Sequence, residues 1–142
     1  MIKTKRVLHF SIPVTNLDRS LAFYRDLLGC TLVHSNPVMR FMSCGDFAFV
    51  LTKVHTHVPA NAPRDTLHHN AFVVDREDFD AAVAEIQAAG YELISYEDSG
   101  HRTFPGRHAY FYDPDQNAVE IIDYRPEEKA DGDGPALLKN YG

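Results

Sequence analysis

The sequence predicts an α+β fold made of two tandem modules, each with one strand, one helix and three further strands. The first observation is a near repeat, because His9–Val14 (HFSIPV) returns sixty residues later as His69–Val74 (HNAFVV). The second is that each copy continues into an amphipathic helix pattern that ends at a glycine, Gly29 or Gly90. A duplicated strand with a histidine at the same place would bring two imidazoles together across a pseudo-twofold axis.

The first module spans about residues 7–54. Alternating, β-rich residues at 7–14 predict its first strand, and Asn16 is a suitable N-cap for the helix that follows. The apolar positions of this helix have helical spacing: Leu17, Leu21, Tyr24 and Leu28. Gly29 ends the helix. Three short strands are then expected near 31–35, 38–43 and 46–54, with a tight turn at Cys44-Gly45-Asp46.

The second module spans about residues 67–124, after a proline-containing linker at 55–66. Its first strand is expected at 67–74, and Asp75 with Asp78 resembles a helix-capping arrangement. The buried stripe of the helix is expected to be Phe79, Val83 and Ile86. Further strands are expected near 91–96, 107–112 and 118–124, the last two joined by the turn Asp113–Asn117.

Length and composition indicate one domain over residues 1–124, followed by a polar tail at 125–142 that is expected to be frayed. A net charge of −6 argues against nucleic acid as the main partner, so a small molecule is expected. No apolar run is long enough to span a bilayer, and the N-terminus lacks a signal-peptide core. We therefore expect a cytoplasmic protein without membrane partners, in which Cys30 and Cys44 are reduced thiols.

Two features together point to a known family: the histidine that opens each module, and the closing stretch from Tyr110 to Glu120 (YFYDPDQNAVE). Their order and spacing resemble the vicinal oxygen chelate superfamily, which includes glyoxalase I, extradiol dioxygenases, fosfomycin-resistance enzymes and bleomycin-binding proteins. The resemblance covers residues 7–124. It implies that the two modules form a curled mixed sheet around a metal-binding cleft, and it implies a homodimer.

Carried over by position, the resemblance gives His9, His69 and Glu120 as metal ligands. Two imidazoles and one carboxylate leave open coordination positions, as in non-haem Fe(II) oxygenases. Glu120 lies among apolar neighbours of a strand pattern, where a charge is costly unless it is paired or binds a cation. The alternative is a carboxylate that faces solvent. His68 competes with His69, and the repeat alignment favours His69.

A fourth position separates the subfamilies. Alignment of the last strands of the two modules puts Phe49 opposite Glu120, where glyoxalase I and the epimerase of the family have a ligand. Phe49 cannot bind a metal, and neither can its neighbours Ala48 and Val50. The three-ligand members, extradiol dioxygenases and fosfomycin-resistance enzymes, therefore fit better.

The leading functional expectation is an Fe(II)-dependent ring-cleaving dioxygenase, an oxidoreductase that acts on a small vicinal diol. Under the resemblance, Tyr110 and His101 are its catalytic residues, which orient the substrate and move protons. His101 lies in a basic loop, Ser99–His108, that could cover the cleft. The alternatives are a Mn(II)-dependent transferase or hydrolase that opens an epoxide, as in fosfomycin resistance, and a metal-free drug-binding protein.

Overall fold

The computed structural model describes residues 1–99 and 103–128. The described part of the chain divides into two compact units: residues 1–60 with 113–117, and residues 61–99, 103–112 and 118–128. Each unit contains one four-stranded mixed sheet, as the two predicted modules require. Among the described residues, no helix has both the length and the apolar character needed to cross a bilayer.

The first unit contains one helical segment and four strands. Its elements are β1 (His9–Val14), α1 (Leu17–Leu21) continuing as a π-helix (Ala22–Leu27), β2 (Thr31–Asn36), β3 (Met39–Cys44) and β4 (Phe47–Lys53). The sheet order is β1-β4-β3-β2, with β1 parallel to β4. The predicted cap is confirmed, because the Asn16 side chain accepts hydrogen bonds from the backbone N–H groups of Asp18 and Arg19. Gly29 follows the helix with a φ of +72°.

One face of the first sheet forms the core with this helical segment. Phe49 is buried there, with its ring stacked 5.6 Å from that of Phe10 and 5.5 Å from the ring of Tyr24. The opposite face carries the residues that alternate with these, including His9, Ser11 and Val50. The first unit therefore separates an aromatic core from a face that carries His9.

The second unit repeats this plan. Its elements are β5 (His69–Val73), α2 (Phe79–Ala88), β6 (Ser95–Ser99), β7 (Gly106–Tyr112), β8 (Ala118–Ile122) and a short 3-10 helix (Pro126–Glu128). The sheet order is β5-β8-β7-β6, with β5 parallel to β8. Helix α2 lies on the face of Tyr96 and Arg107, because the Phe79 ring contacts both side chains.

Two local predictions in the second unit are wrong. The strand expected at 91–96 begins at Ser95, because Tyr91 N–H still bonds to the Ile86 carbonyl and completes the end of α2. Asp78 occupies the N-cap of α2 but makes no side-chain capping bond. Its backbone is already helical, and its N–H bonds to the Asp75 carbonyl in a preceding turn.

The turn Asp113–Asn117 joins β7 to β8, yet it belongs to the first unit. Asp113 accepts hydrogen bonds from the Tyr24 hydroxyl and from the backbone N–H of Asn117. Asp115 accepts from the Thr15 hydroxyl and forms an ion pair with Arg19 at 3.0 Å. The side chains of this turn therefore anchor it within the first unit.

An ionic cluster fixes the other end of β8. Asp123 is buried, accepts from the Arg107 backbone N–H and side chain, and pairs with Arg125 at 2.7 Å. Gly106 makes this approach possible, because a Cβ there would lie 2.4 Å from the Asp123 carbonyl oxygen, and its φ is +143°. Arg125, the first residue of the tail that is expected to be frayed, is buried, and residues 129–142 lie outside the described part of the chain.

We predict that Asp123→Asn destabilises the protein by about 3 kcal/mol at neutral pH, because both arginines lose a buried ionised partner. Burial alone would raise the pKa of Asp123, but the hydrogen bonds from Arg125 and Arg107 outweigh it and lower the pKa. Stability from this group is therefore complete above the ordinary aspartate pKa of about 4 and is lost as the pH falls below it.

Urea unfolding measured between neutral and acid pH tests this prediction. The wild type should lose stability more steeply on acidification than Asp123→Asn. Asp46→Asn, an exposed carboxylate in the first unit, is the control and should follow the wild type. Equal acid slopes for the wild type and Asp123→Asn would contradict the assignment.

Candidate metal centre

Strand register gathers four polar side chains on one face of the second sheet. Glu120 lies in the middle of β8, directly opposite Ala71 of β5 and Tyr110 of β7. His69 and His108 are each two residues from those partners, so their side chains leave the sheet on the same side as Glu120. The expected shared face of Tyr110 and Glu120 is thus confirmed.

The Glu120 carboxylate is held between two imidazoles. Its Oε2 atom is 2.9 Å from His69 Nε2, and its Oε1 atom is 2.5 Å from His108 Nδ1. The Glu120 residue is only 4% exposed, so the alternative of a solvent-facing carboxylate is wrong. A buried carboxylate in this position needs donors or a cation, and the two imidazoles supply donors.

The remaining ring nitrogens also face oxygen acceptors. His69 Nδ1 is 2.6 Å from the Thr66 carbonyl oxygen, and His108 Nε2 is 3.0 Å from the Phe104 carbonyl oxygen. A neutral imidazole has only one N–H, so it can donate to one of its two oxygen neighbours. Each neutral ring therefore leaves one of its two oxygen neighbours without a donor from that ring. The two rings thus face more oxygen acceptors than they have N–H donors when neutral, and such a site favours positive charge.

The pKa values follow this arrangement. Burial would raise the pKa of Glu120, but hydrogen bonds from His108 and His69 outweigh it and lower the pKa to about 2. The hydrogen bond to Glu120 raises the pKa of His69 despite its partial burial. Glu120 is consequently an ionised carboxylate throughout the pH range in which proteins bind divalent metals.

Tyr110 lies beside both histidines. Its ring centroid is 5.4 Å from that of His69 in an edge-on contact, and 6.3 Å from that of His108, with the two planes 7° apart. Tyr110 therefore limits the positions that both imidazoles can adopt. Its catalytic role stays a prediction from the family resemblance.

A pocket of about 170 Å³ opens beside the carboxylate. Its lining is largely apolar and consists of His69, Ala71, Val73, Phe104, Glu120, Ile122 and Tyr124. The pocket places a charged carboxylate and one imidazole at the wall of a small apolar space. Such a pocket suits a small, largely apolar molecule that carries one polar group.

The predicted ligand set is only partly assembled within one unit. His69 and Glu120 meet in the second unit, whereas His9 is an exposed residue of β1 in the first. In residues 1–99 and 103–128, no three His, Cys, Asp or Glu side chains are grouped so as to hold a metal ion. His101 lies outside the described residues. His68 precedes β5, and its backbone bonds to the Asn61 side chain.

Strand register corrects the alignment of the two modules. His9 pairs with Ala48 and His69 pairs with Ala118, so the position equivalent to Glu120 is Val50 rather than Phe49. Phe49 faces the aromatic core of the first unit. Because Val50 also lacks a ligand atom, the first module supplies no counterpart of Glu120.

His108 is the functional residue that sequence reasoning missed. The strand expected at 107–112 contains it, but the sequence analysis also counted it in the basic loop Ser99–His108 and gave it no role. In the structure it lies in β7. The sequence feature that could have identified it is its position two residues before Tyr110, since residues two apart in a strand lie on the same face. His108 is 5% exposed and makes the shorter of the two contacts with Glu120.

With this geometry established, comparison with known proteins identifies the family. The Glyoxalase/Bleomycin resistance protein/Dioxygenase superfamily matches residues 6–121, so the chain belongs to that superfamily. The resemblance inferred from the repeat is thereby confirmed.

Particular relatives are enzymes named for fosfomycin resistance or thiol transfer. Glutathione transferase FosA of Serratia marcescens is 30% identical over 115 residues, covering 80% of this chain and 77% of that protein. Metallothiol transferase FosB of Staphylococcus epidermidis is 24% identical over 113 residues, which cover 80% of this chain and 78% of that protein. Among solved structures, one similar fold is a variant of the fosfomycin resistance protein FosX from Listeria monocytogenes, complexed with Mn(II) and dihydroxypropylphosphonic acid. The TM-score is 0.71 at 21% sequence identity, and the match covers 99% of this chain and 100% of that one.

We predict that His108→Ala destabilises the protein by about 3 kcal/mol, because Glu120 stays buried with one imidazole partner instead of two. His34→Ala, which removes an exposed imidazole in the first unit, is the matched control and should change stability by less than about 0.5 kcal/mol. Chemical unfolding of both variants measures the difference. Equal stabilities would mean that His108 does not support the carboxylate.

Proposed function

We propose that this protein is a divalent-metal-dependent enzyme that opens the epoxide ring of a small molecule by adding a thiol or water. The observation that carries the proposal is the ionised, buried Glu120 beside His69 at the wall of an apolar pocket. The relatives named for glutathione and metallothiol transfer support this reaction class. They favour the epoxide-opening alternative over the ring-cleaving dioxygenase, which was the leading expectation from the sequence.

His69 and Glu120 fit a divalent ion by the chemistry of their atoms. Metal-bound histidines usually donate their second N–H to a carbonyl or carboxylate, and His69 Nδ1 faces the Thr66 carbonyl in this way. The ion would take the place of the proton that His69 Nε2 otherwise needs beside Glu120. We propose His9 as the third protein ligand, on the strength of its equivalent place in β1.

Mn(II) is the proposed metal, since the similar FosX structure contains Mn(II). Fe(II), the sequence-based expectation, has no such support in the comparisons reported above. When bound, a divalent ion would act as a Lewis acid that polarises an epoxide oxygen. The protein's own residues then have three tasks: to hold the ion, to orient the carboxylate and to exclude water.

Three groups in the second unit assist His69 and Glu120 in these tasks. His108 donates to Oε1 of Glu120 and so fixes the orientation of the carboxylate. Tyr110 packs against both imidazoles and limits their movement. The apolar side chains of Ala71, Val73 and Ile122 line the space beside the carboxylate and would limit the number of water molecules there, which would strengthen electrostatic interactions. A homodimer remains a prediction from the family resemblance.

Glu120→Ala tests the proposal, with Glu85→Ala on the exposed side of α2 as its control. Isothermal titration should show Mn(II) binding to the wild type and a loss of about 100-fold or more in Glu120→Ala. Phosphorus NMR should show the loaded wild type converting fosfomycin, with glutathione or with water alone, and Glu120→Ala failing to do so. Glu85→Ala should match the wild type in both measurements.

Other outcomes would overturn the proposal. Unchanged Mn(II) affinity in Glu120→Ala would show that the ligand set is wrong. Oxygen uptake with catechols after Fe(II) loading, without turnover of fosfomycin, would instead support the ring-cleaving dioxygenase predicted from the sequence. Tight binding of fosfomycin by the metal-free protein without chemistry would make it a drug-binding protein.

A further inference from the structure

The two cysteines are cross-strand neighbours at the base of the β2–β3 hairpin in the first unit. The ladder pairs Thr31 with Ser43, and one step outward places Cys30 opposite Cys44. Opposite residues of antiparallel strands have Cα atoms about 4.5 to 5.5 Å apart. A disulfide requires a Cα separation of about 4.4 to 6.8 Å, so the backbone already has a suitable spacing.

Both thiols lie on the same face of the hairpin. Strand alternation puts Cys44 in phase with the buried Met42, on the side that faces the core. The Cys30 backbone N–H donates to the Tyr24 carbonyl, which fixes this residue at the end of the π-helix. Because Cys30 and Cys44 lie opposite each other on this face, the strand register already brings the two thiols together.

The two sulfur atoms differ in reactivity. Cys30 is buried, whereas Cys44 is partly exposed. The hydrogen bond from Cys30 lowers the pKa of the Cys44 thiol, and the same contact together with burial raises the pKa of Cys30. A partly exposed thiolate attacks oxidants more readily than a buried thiol, so Cys44 is the attacking residue and Cys30 the resolving one.

We propose that Cys30 and Cys44 form a reversible intramolecular disulfide when the protein meets a low-molecular-weight disulfide such as oxidised glutathione. The Cys44 thiolate attacks one sulfur of the oxidant, whose S–S bond breaks and releases one glutathione thiolate. Cys30 then loses its proton to solvent and attacks Cys44 Sγ, which releases the second glutathione. Two protein thiols are thus oxidised by two electrons, and one oxidant disulfide is reduced to two thiols.

The bridge would close a ring of about 15 residues, containing all of β2 and β3. It would tie the end of the π-helix to the end of β3 within the first unit. The site is independent of the proposed metal chemistry, because neither cysteine belongs to the ligand set. The sequence analysis expected only reduced thiols, since the spacing of Cys30 and Cys44 does not resemble a CxxC pair.

Intact-mass measurement of the reduced protein after exposure to oxidised glutathione tests the proposal. The wild type should become a single monomeric species about 2 Da lighter, which dithiothreitol reverses. Peptide mapping without reduction should find a Cys30–Cys44 link. Cys30→Ser should stop at glutathionylated Cys44, whereas Cys44→Ser should stay largely unmodified under the same conditions.

The opposite results are equally distinct. A wild type that stays unmodified, keeps one glutathione on Cys44 or forms disulfide-linked dimers would overturn the proposal. Modification of Cys44→Ser at the wild-type rate would overturn the assignment of Cys44 as the attacking thiol. Circular dichroism checks that both variants are folded, and the wild-type mass alone decides whether the bridge forms.

Discussion

The negative charge of Glu120 lies in a strand whose five residues are all buried, and the surrounding groups are arranged to compensate it. His69 and His108 donate to its two oxygens, and the carbonyls of Thr66 and Phe104 hold their outer nitrogens. Both imidazoles therefore have an oxygen atom at each ring nitrogen. This excess of acceptors favours a bound cation, and the adjacent apolar pocket gives a small molecule access to it.

The site also depends on the register of β8, because a slip of one residue would turn Glu120 into the core. Two clusters flank this strand in the sequence. The turn Asp113–Asn117 is held by Thr15, Arg19 and Tyr24 before the strand begins. After the strand ends, Asp123 is held by Arg107 and Arg125. Buried carboxylates thus accept hydrogen bonds in the chain both before and after β8.

The sequence predicts both modules from the internal repeat, the Asn16 cap from its place before the helix, and the family from the two histidines and the stretch Tyr110–Glu120. The shared face of Tyr110 and Glu120 is also predictable, since it follows from strand alternation. The match of Phe49 to Glu120 is wrong by one residue, because His9 pairs with the second residue of β4, Ala48, whereas His69 pairs with the first residue of β8, Ala118. His108 lies in the strand expected at 107–112, yet it was missed because it was treated as part of the basic loop Ser99–His108 and the family resemblance gives that position no role.

The central claim is that His69 and Glu120 together bind the metal of this protein. Pulsed electron paramagnetic resonance of the Mn(II)-loaded protein tests it most directly, because hyperfine coupling reports imidazole nitrogen bound to the ion. We predict a nitrogen coupling that decreases in His69→Ala and persists in His68→Ala, where the adjacent imidazole is removed instead. A coupling unchanged in His69→Ala, with Mn(II) still bound, would contradict the claim.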